Sequence, residues 1–384
     1  GVIDTMGKYY IPEIGGFIIY FVTIVLLILF PGGLNRTAAA RSSALPSHGM
    51  VEAIPMPSFF KRDPGAPRLP GARWNPVELA IWAAALALPF LLPTYIGLGY
   101  QILITCIFVL SLDLILGYAG IVSVGHAAPF GVGAYSAGIL AKYGWGEPIT
   151  GLLVAGAAGA VVGFVTSFIM RGSDITRLMV TIGIVFMFYE AANRLVSITG
   201  GADGLGGIEM WRLFGMFEFD LEGWTAYYYS FAVLIIVFWL CRRIVDSPLG
   251  LSLRGIREGA GRMPAIGSPV RRRITAIYTI ASFFAAVAGG LLAQTTQFVG
   301  TDSLGFLRSA DLVIMLVLGG VGWLYGGIIG ATLFIVAQDV LAGINPAYWH
   351  FWLGLIIVIV VLVARGGIGG AVAAFASRRR ARAT

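Results

Sequence analysis

Long blocks of apolar residues, separated by short polar connections, run along most of this 384-residue chain. A helix needs about 20 apolar residues to cross the hydrocarbon core of a bilayer. Blocks of this kind predict spans at residues 16–30, 77–93, 95–117, 121–141, 148–170, 178–197, 225–241, 274–296, 309–320, 323–342 and 347–364. We therefore predict an all-α fold, a polytopic bundle of about 10–11 transmembrane helices.

The composition agrees with a membrane protein. Apolar residues make up 58% of the chain and charged residues only 12%, whereas soluble domains carry about 25% charged residues. The 53 glycines and 17 prolines fit this class because membrane helices tolerate both residues. We conclude that the solvent of this chain is a lipid bilayer.

Basic residues mark the cytoplasmic side, because cytoplasmic loops collect Lys and Arg. Residues 34–76 carry six basic side chains, residues 242–273 carry eight, and the tail from Arg365 carries five. Residues 200–224 instead hold five acids and one Arg, so we place them outside. Successive spans then cross the membrane in alternating directions if residues 309–342 cross it twice, with a turn at 320–323. The C-terminus is then cytoplasmic. This topology also explains the net charge of +7 without a nucleic-acid partner.

The sequence offers little catalytic chemistry. The glycine-rich residues 200–207 lack the strand and helix of a dinucleotide site, and none of the three lysines completes a GxxxxGK[ST] phosphate loop. The three histidines are scattered, and Cys106 and Cys241 lie in apolar runs. We expect no ATPase site, catalytic residue, metal or cofactor in this chain, so a membrane enzyme is disfavoured.

Two predicted spans are irregular. Residues 121–141 contain Gly125, Pro129, Gly131 and Gly133, and 309–320 is short. Interrupted segments line substrate pathways in transporters, but kinked packing between neighbouring helices also produces them, and both interpretations stay open. Acids within spans, such as Asp113, would suit an ion-coupled carrier. A stand-alone channel or secondary carrier for a small polar solute is therefore the alternative function.

The predicted cytoplasmic loop contains the most informative segment. Residues 247–258 read SPLGLSLRGIRE, and Pro248 can start a helix. Leu251, Arg254 and Glu258 would then fall on one side of that helix. The residues alone leave two interpretations: an amphipathic helix that contacts a motor protein, or a solvated basic loop.

This loop resembles the cytoplasmic coupling loop of the branched-chain amino acid ABC transporter permease family (LivM-type), which runs S-P-x-G-R-x-L-R-A-I-R-E. Three other segments resemble family motifs in the expected order: 116–127, 199–205 and 318–326. The resemblance covers residues 77–366. Ala260 and Pro264 depart from the family pattern, so we expect a short or bent coupling helix.

The resemblance implies an importer subunit of the bacterial inner membrane that moves branched-chain amino acids or similar small solutes. Its partners would be a second permease, two cytoplasmic ATPase subunits that use the ATP, and an extracytoplasmic binding protein. We assign ATPase coupling to Arg254, Arg257, Glu258 and Gly267, with direct motor contact by the first three. For the translocation path we favour Ser123, His126 and Tyr135. The outer loop, Thr199, Gly200, Gly201, Asp203 and Gly204, either meets the binding protein or is a glycine-rich turn.

Residues 1–34 resemble the last span and tail of the partner permease of such systems (LivH-type). Residues 35–76, rich in Pro, Ala and Arg, are interpreted as a cytoplasmic linker. The permease domain would cover 77–366, and a basic cytoplasmic tail 367–384. We hypothesise that the chain is a fused or truncated product of two permease genes.

Overall fold

The computed structural model describes residues 76–169, 174–219, 222–346 and 348–363. These residues form twelve α-helices and contain no strand beyond two isolated bridges, so the predicted all-α bundle is confirmed. The helices are α1 Pro76–Leu91, α2 Ile96–Leu112, α3 Ala127–Lys142, α4 Pro148–Ile169, α5 Asp174–Arg194, α6 Val196–Thr199, α7 Trp224–Asp246, α8 Pro248–Gly259, α9 Val270–Thr296, α10 Phe306–Gly319, α11 Leu324–Ile344 and α12 Trp349–Val363.

The chain is a multi-pass membrane protein. Within the described ranges, six helices are long and apolar enough to cross a bilayer: Pro93–Tyr118, Pro148–Ile169, Ile175–Arg194, Trp224–Asp246, Val270–Thr296 and Leu324–Ile344. Every span predicted from residue 77 onward overlaps a helix. Four of these helices, α1, α3, α10 and α12, are shorter than the six named above. The predicted helix at 1–34, almost all of the linker 35–76 and the tail 367–384 lie outside the described residues.

Small residues bring α3, α4 and α9 close together at the centre of the bundle. A Cβ atom added at Gly133 of α3 would overlap the backbone of Ala286 in α9, and one at Gly159 of α4 would overlap the Ala286 side chain. Without a hydrophobic driving force between helices in lipid, close backbone packing of this kind holds membrane helices together.

α1 is held to the bundle by aromatic and charged contacts. The Trp82 ring makes edge contacts with Phe231 and Phe238 of α7. The Arg242 Nη1 of α7 donates to the Glu78 Oε2 at 3.0 Å, and both side chains are buried. α1 therefore depends on α7, the helix that leads directly into α8.

α3 and α10 each begin after a non-helical segment. α2 continues into a π-helical segment, Asp113–Tyr118, and residues 119–126 are not helical before α3 begins at Ala127. The predicted start of this span at 121 was therefore wrong. Gly120, with φ +71°, turns the chain there. Similarly, residues 297–305 contain only one short 3-10 turn before α10.

α3 and α10, the two short helices that follow these non-helical segments, meet at their N-terminal ends. The backbone N–H of Ala127, the first residue of α3, donates to Ser309 Oγ of α10 at 2.8 Å. α3 and α10, of 16 and 14 residues, are thus short helices that meet inside the bundle. Transporters place short or broken helices of this kind around their pathways.

Candidate functional site

α8 is a short amphipathic helix between α7 and α9. The Ser247 hydroxyl accepts from the Gly250 N–H at 3.4 Å, which satisfies one of the free donors of the first turn. Gly250, Leu253 and Ile256 are buried against the bundle. The helix ends at Gly259, and Pro264 lies in a separate 3-10 turn, Met263–Ile266. The helix is therefore short, as the departures at Ala260 and Pro264 predict.

The opposite side of α8 faces away from the bundle. Leu251 is 70% exposed, and Glu258 is exposed two turns further along. Arg254 is half-buried: its guanidinium lies 5.6 Å from the centre of the Tyr118 ring, and its Nη2 donates to the Val245 carbonyl at 3.4 Å. Leu251 and Glu258, together with Pro248 at the start of the helix, are thus the exposed side chains of α8.

Arg257 is turned toward the bundle. Its Nη1 donates to the Gly117 carbonyl at the end of α2, and its aliphatic stem packs on Gly120. Its predicted direct contact with a motor subunit stays a prediction. Gly267, which we had grouped with it, is exposed and ends the 3-10 turn in a left-handed conformation, φ +78°.

Asp113 is a residue of this site that the coupling-loop motif does not contain. This fully buried carboxylate accepts a hydrogen bond from the Gly322 N–H at 2.7 Å through its Oδ1. Gly322 belongs to the turn between α10 and α11, which lies beside α8 as the charge pattern predicts. The available signal was an acid inside an apolar span, four residues before Gly117, because acids in such positions are costly and mostly functional.

Ser123 and His126 lie together in the non-helical segment between α2 and α3. The His126 Nε2 is 2.9 Å from Ser111 Oγ, and its ring stacks on Phe108. Since the Ser111 hydroxyl donates to the Phe108 carbonyl at 2.6 Å, His126 is the donor to Ser111. The Ser123 Oγ is 3.2 Å from the Tyr278 hydroxyl of α9. The segment is therefore fixed to α2 and α9 by buried hydrogen bonds.

Tyr135 lies further along α3 and is buried apart from these two residues. Its hydroxyl has no hydrogen-bond partner in the part of the chain that the structure describes. Asp302 and Tyr189 are close enough to act on it electrostatically. The structure therefore brings Ser123 and His126 into one segment and places Tyr135 nearer the opposite end of the bundle from α8.

The outer loop is a fixed turn. The Thr199 hydroxyl lies within hydrogen-bond reach of the carbonyls of Ala192 and Leu195, at 2.5 and 2.8 Å. Gly200 and Gly204 adopt positive φ angles, and a Cβ on Gly200 would overlap Gly204. Leu205 then pairs with Val299 through two backbone hydrogen bonds, while Asp203 is exposed. The loop is thus bonded to the segment that enters α10.

These features define a class: a multi-pass helical membrane protein with interrupted spans and an amphipathic helix bonded to their ends. A family model described as "Branched-chain amino acid transport system / permease component" matches residues 94–361. The chain belongs to this family, which confirms the resemblance found in its motifs.

Individual relatives agree with this assignment. The chain is 28% identical over 309 residues to the high-affinity branched-chain amino acid transport system permease protein LivM of Salmonella typhimurium, covering 74% of this chain and 72% of that protein. It is 28% identical over 312 residues to LivM of Escherichia coli, with the same coverage.

A relative with a different named solute also matches. The galactose/methyl galactoside import permease protein MglC of Haemophilus influenzae is 29% identical over 226 residues, covering 55% of this chain and 65% of that protein. No solved structure matches the chain. The chain is therefore a permease component of a transport system.

Proposed function

We propose that this chain is a permease subunit of an ATP-binding-cassette importer. A second permease would complete the pathway, two cytoplasmic ATPase subunits would drive it, and an extracytoplasmic binding protein would deliver the solute. The chain itself would use no cofactor. Family membership supports the permease role, and the features of α8 support the coupling to ATPase subunits.

The observation that carries this proposal is the two-sided environment of α8. One side of the helix is buried through Gly250, Leu253 and Ile256, so a force on the helix is passed to the bundle. The other side exposes Leu251 and Glu258. An exposed leucine with an acid two turns further along the same side gives this face an apolar and a polar contact, and protein interfaces combine both.

We propose branched-chain amino acids as the solute, because two of the relatives are named for that transport. The galactoside relative makes D-galactose the comparison solute in any assay. Ser123 and His126, which lie in the non-helical segment before the short helix α3, are our candidates for the pathway. Tyr135 is the candidate nearer the outer loop.

Docking of the ATPase subunits tests the proposed role of α8. We expect the double variant Leu251→Ala/Glu258→Gln to bind the ATPase subunits at least tenfold more weakly than the wild type, a loss of about 1.4 kcal/mol, because both exposed anchors are removed. The measurement is the dissociation constant between the detergent-solubilised permease pair and the ATPase subunits.

The matched control is Asp246→Asn, which removes an exposed acid at the end of α7, two residues before α8. We expect this variant to bind like the wild type. Equal affinity of the double variant and the control would contradict docking on α8.

A further inference from the structure

We propose that Asp113 and Arg257 are positioning residues that connect α8 to the closure of the pathway at the α8 end of the bundle. Together with Gly117 and Gly322 they form what we call the inner cluster. While α8 is in the observed position, the inner cluster would hold the end of α2 and the α10–α11 turn together. This inference rests on the proposed function and adds a route from the docking helix to the interrupted spans.

Three separate parts of the chain meet in the inner cluster. Arg257 belongs to α8 and donates to the Gly117 carbonyl of the π-helical end of α2. Asp113, one turn earlier in that segment, accepts from the Gly322 N–H of the α10–α11 turn at 2.7 Å. α8 is therefore bonded to α2, and α2 is bonded to the hairpin of α10 and α11.

The packing leaves no room between these parts. A Cβ on Gly117 would overlap the Asp113 carboxylate and lie 2.7 Å from the Gly322 nitrogen. A Cβ on Gly322 would lie 3.0 Å from the Arg257 Nη1, and one on Gly120 would lie 2.8 Å from its Cγ. Because the Arg257 side chain packs against the backbone at Gly120 and Gly322, α8 cannot move away from α2 without breaking these contacts.

The charges explain why the contacts are made by these residue types. Asp113 is fully buried, and a carboxylate in an apolar interior is costly unless it is compensated. Arg257 brings a positive charge to the same turn, since its Nη1 is next to Gly322. Withdrawing Arg257 would leave the carboxylate with less compensation, so movement of α8 would weaken the closed arrangement of the turn.

The two parts of the chain that Arg257 of α8 contacts are the end of α2 and the α10–α11 turn. Both lie next to the short helices α3 and α10. The segment after the inner cluster, residues 119–126, carries Ser123 and His126, and α10 ends at the turn that holds Gly322. α10 begins next to α3, where Ser309 accepts from Ala127. A displacement of α8 would therefore act on the two short helices, α3 and α10, at the same time.

The test uses the assembled importer in proteoliposomes, with binding protein loaded with L-leucine, and compares the wild type with Arg257→Ala, Arg257→Lys and Asp113→Asn. ATP turnover is measured with and without the binding protein, together with uptake of radiolabelled L-leucine. We expect Arg257→Ala to raise the turnover without binding protein at least threefold and to lower leucine uptake per ATP at least threefold. Arg257→Lys should restore part of the leucine uptake per ATP, because lysine can still donate to the Gly117 carbonyl.

Asp113→Asn keeps the side-chain shape and the acceptor for Gly322 but removes the charge, so we expect the same change. It replaces Arg257→Ala in the test if that variant does not assemble. Arg272→Ala is the control: Arg272 is exposed at the start of α9, and its replacement should leave the leucine uptake per ATP unchanged. An unchanged uptake per ATP in assembled Arg257→Ala or Asp113→Asn would overturn the proposal.

A second readout keeps the inner cluster separate from the proposed function. Hydrogen–deuterium exchange on the chain alone reports whether the Gly322 N–H is protected. We expect faster exchange around residues 320–323 in Arg257→Ala than in the wild type, and Arg272→Ala should match the wild type. If wild-type proteoliposomes show no ATP-driven uptake of L-leucine or D-galactose, the proposed function fails. If the exchange is unchanged, the proposed role of the inner cluster is contradicted, whether or not the importer transports solute.

Discussion

At the scale of single residues, the buried charges determine where the bundle can tolerate change. Glu78 and Arg242 form an ion pair between α1 and α7, with side chains only 11% and 8% exposed. Glu190 and Arg194 form a pair of the same chemistry on α5, with exposed fractions of 20% and 40%. Breaking a buried pair leaves a charge without its partner in an apolar surrounding, whereas exposed pairs contribute little.

We therefore expect Glu78→Ala to destabilise the protein by about 3–5 kcal/mol and to lower its melting temperature in detergent clearly. Glu190→Ala should change stability by about 0–1 kcal/mol. Thermal unfolding followed by the fluorescence of the nine tryptophans measures both variants. Similar melting temperatures for the two variants would show that burial does not set the strength of these pairs.

The sequence predicted some of these residues and not others. The motif around Ser123 and His126 placed both in an irregular span, and the structure puts them in the non-helical segment. Arg257 was grouped with Arg254 and Glu258 because all three match the coupling-loop motif of the family. Its spacing indicates otherwise: Arg257 follows the buried Leu253 by four residues, which puts it on the buried side of a helix. The partners of Arg257 on α2 are 140 residues away in sequence, so local spacing could not identify them.

At the scale of elements, hydropathy predicted the helices well and their interruptions poorly. Each apolar block from residue 77 onward contains a helix because the bilayer requires internally bonded backbone. Residues 119–126 are as apolar as their neighbours, so composition cannot reveal that the chain turns at Gly120 before α3. Proline and glycine mark the region as irregular, but the three-dimensional contacts with α9 and α10 fix where the helix begins.

Close packing of α3 and α4 against α9 gives a prediction at this scale. We expect Gly133→Ala and Gly159→Ala each to destabilise the bundle by about 1–3 kcal/mol, because the added methyl group overlaps Ala286. The control is Gly97→Ala in α2, where nothing lies within 4 Å of an added Cβ; this change should be neutral or stabilising by up to about 1 kcal/mol.

Melting temperatures of the purified variants in the same detergent give the comparison. If Gly133→Ala and Gly159→Ala melt at the temperature of Gly97→Ala, α9 can move away from α3 and α4 without cost. The central packing would then not depend on small residues.

At the scale of the whole molecule, contacts run from one end of the bundle to the other through α10. The outer loop pairs with residue Val299 before α10, the start of α10 bonds to α3 through Ser309, and its end leads into the turn held by Asp113. Such an arrangement suits a protein in which events at both ends must be coordinated.

The measurement that tests the central claim most directly is ATP turnover by the complete assembly in proteoliposomes, with and without loaded binding protein. An ATP-driven importer predicts that loaded binding protein stimulates turnover and that solute uptake requires ATP. It also predicts that Leu251→Ala/Glu258→Gln, on the exposed side of α8, abolishes the stimulation. Turnover that ignores the binding protein and the double variant, together with solute flux in the absence of ATP, would contradict the account and indicate a channel or secondary carrier.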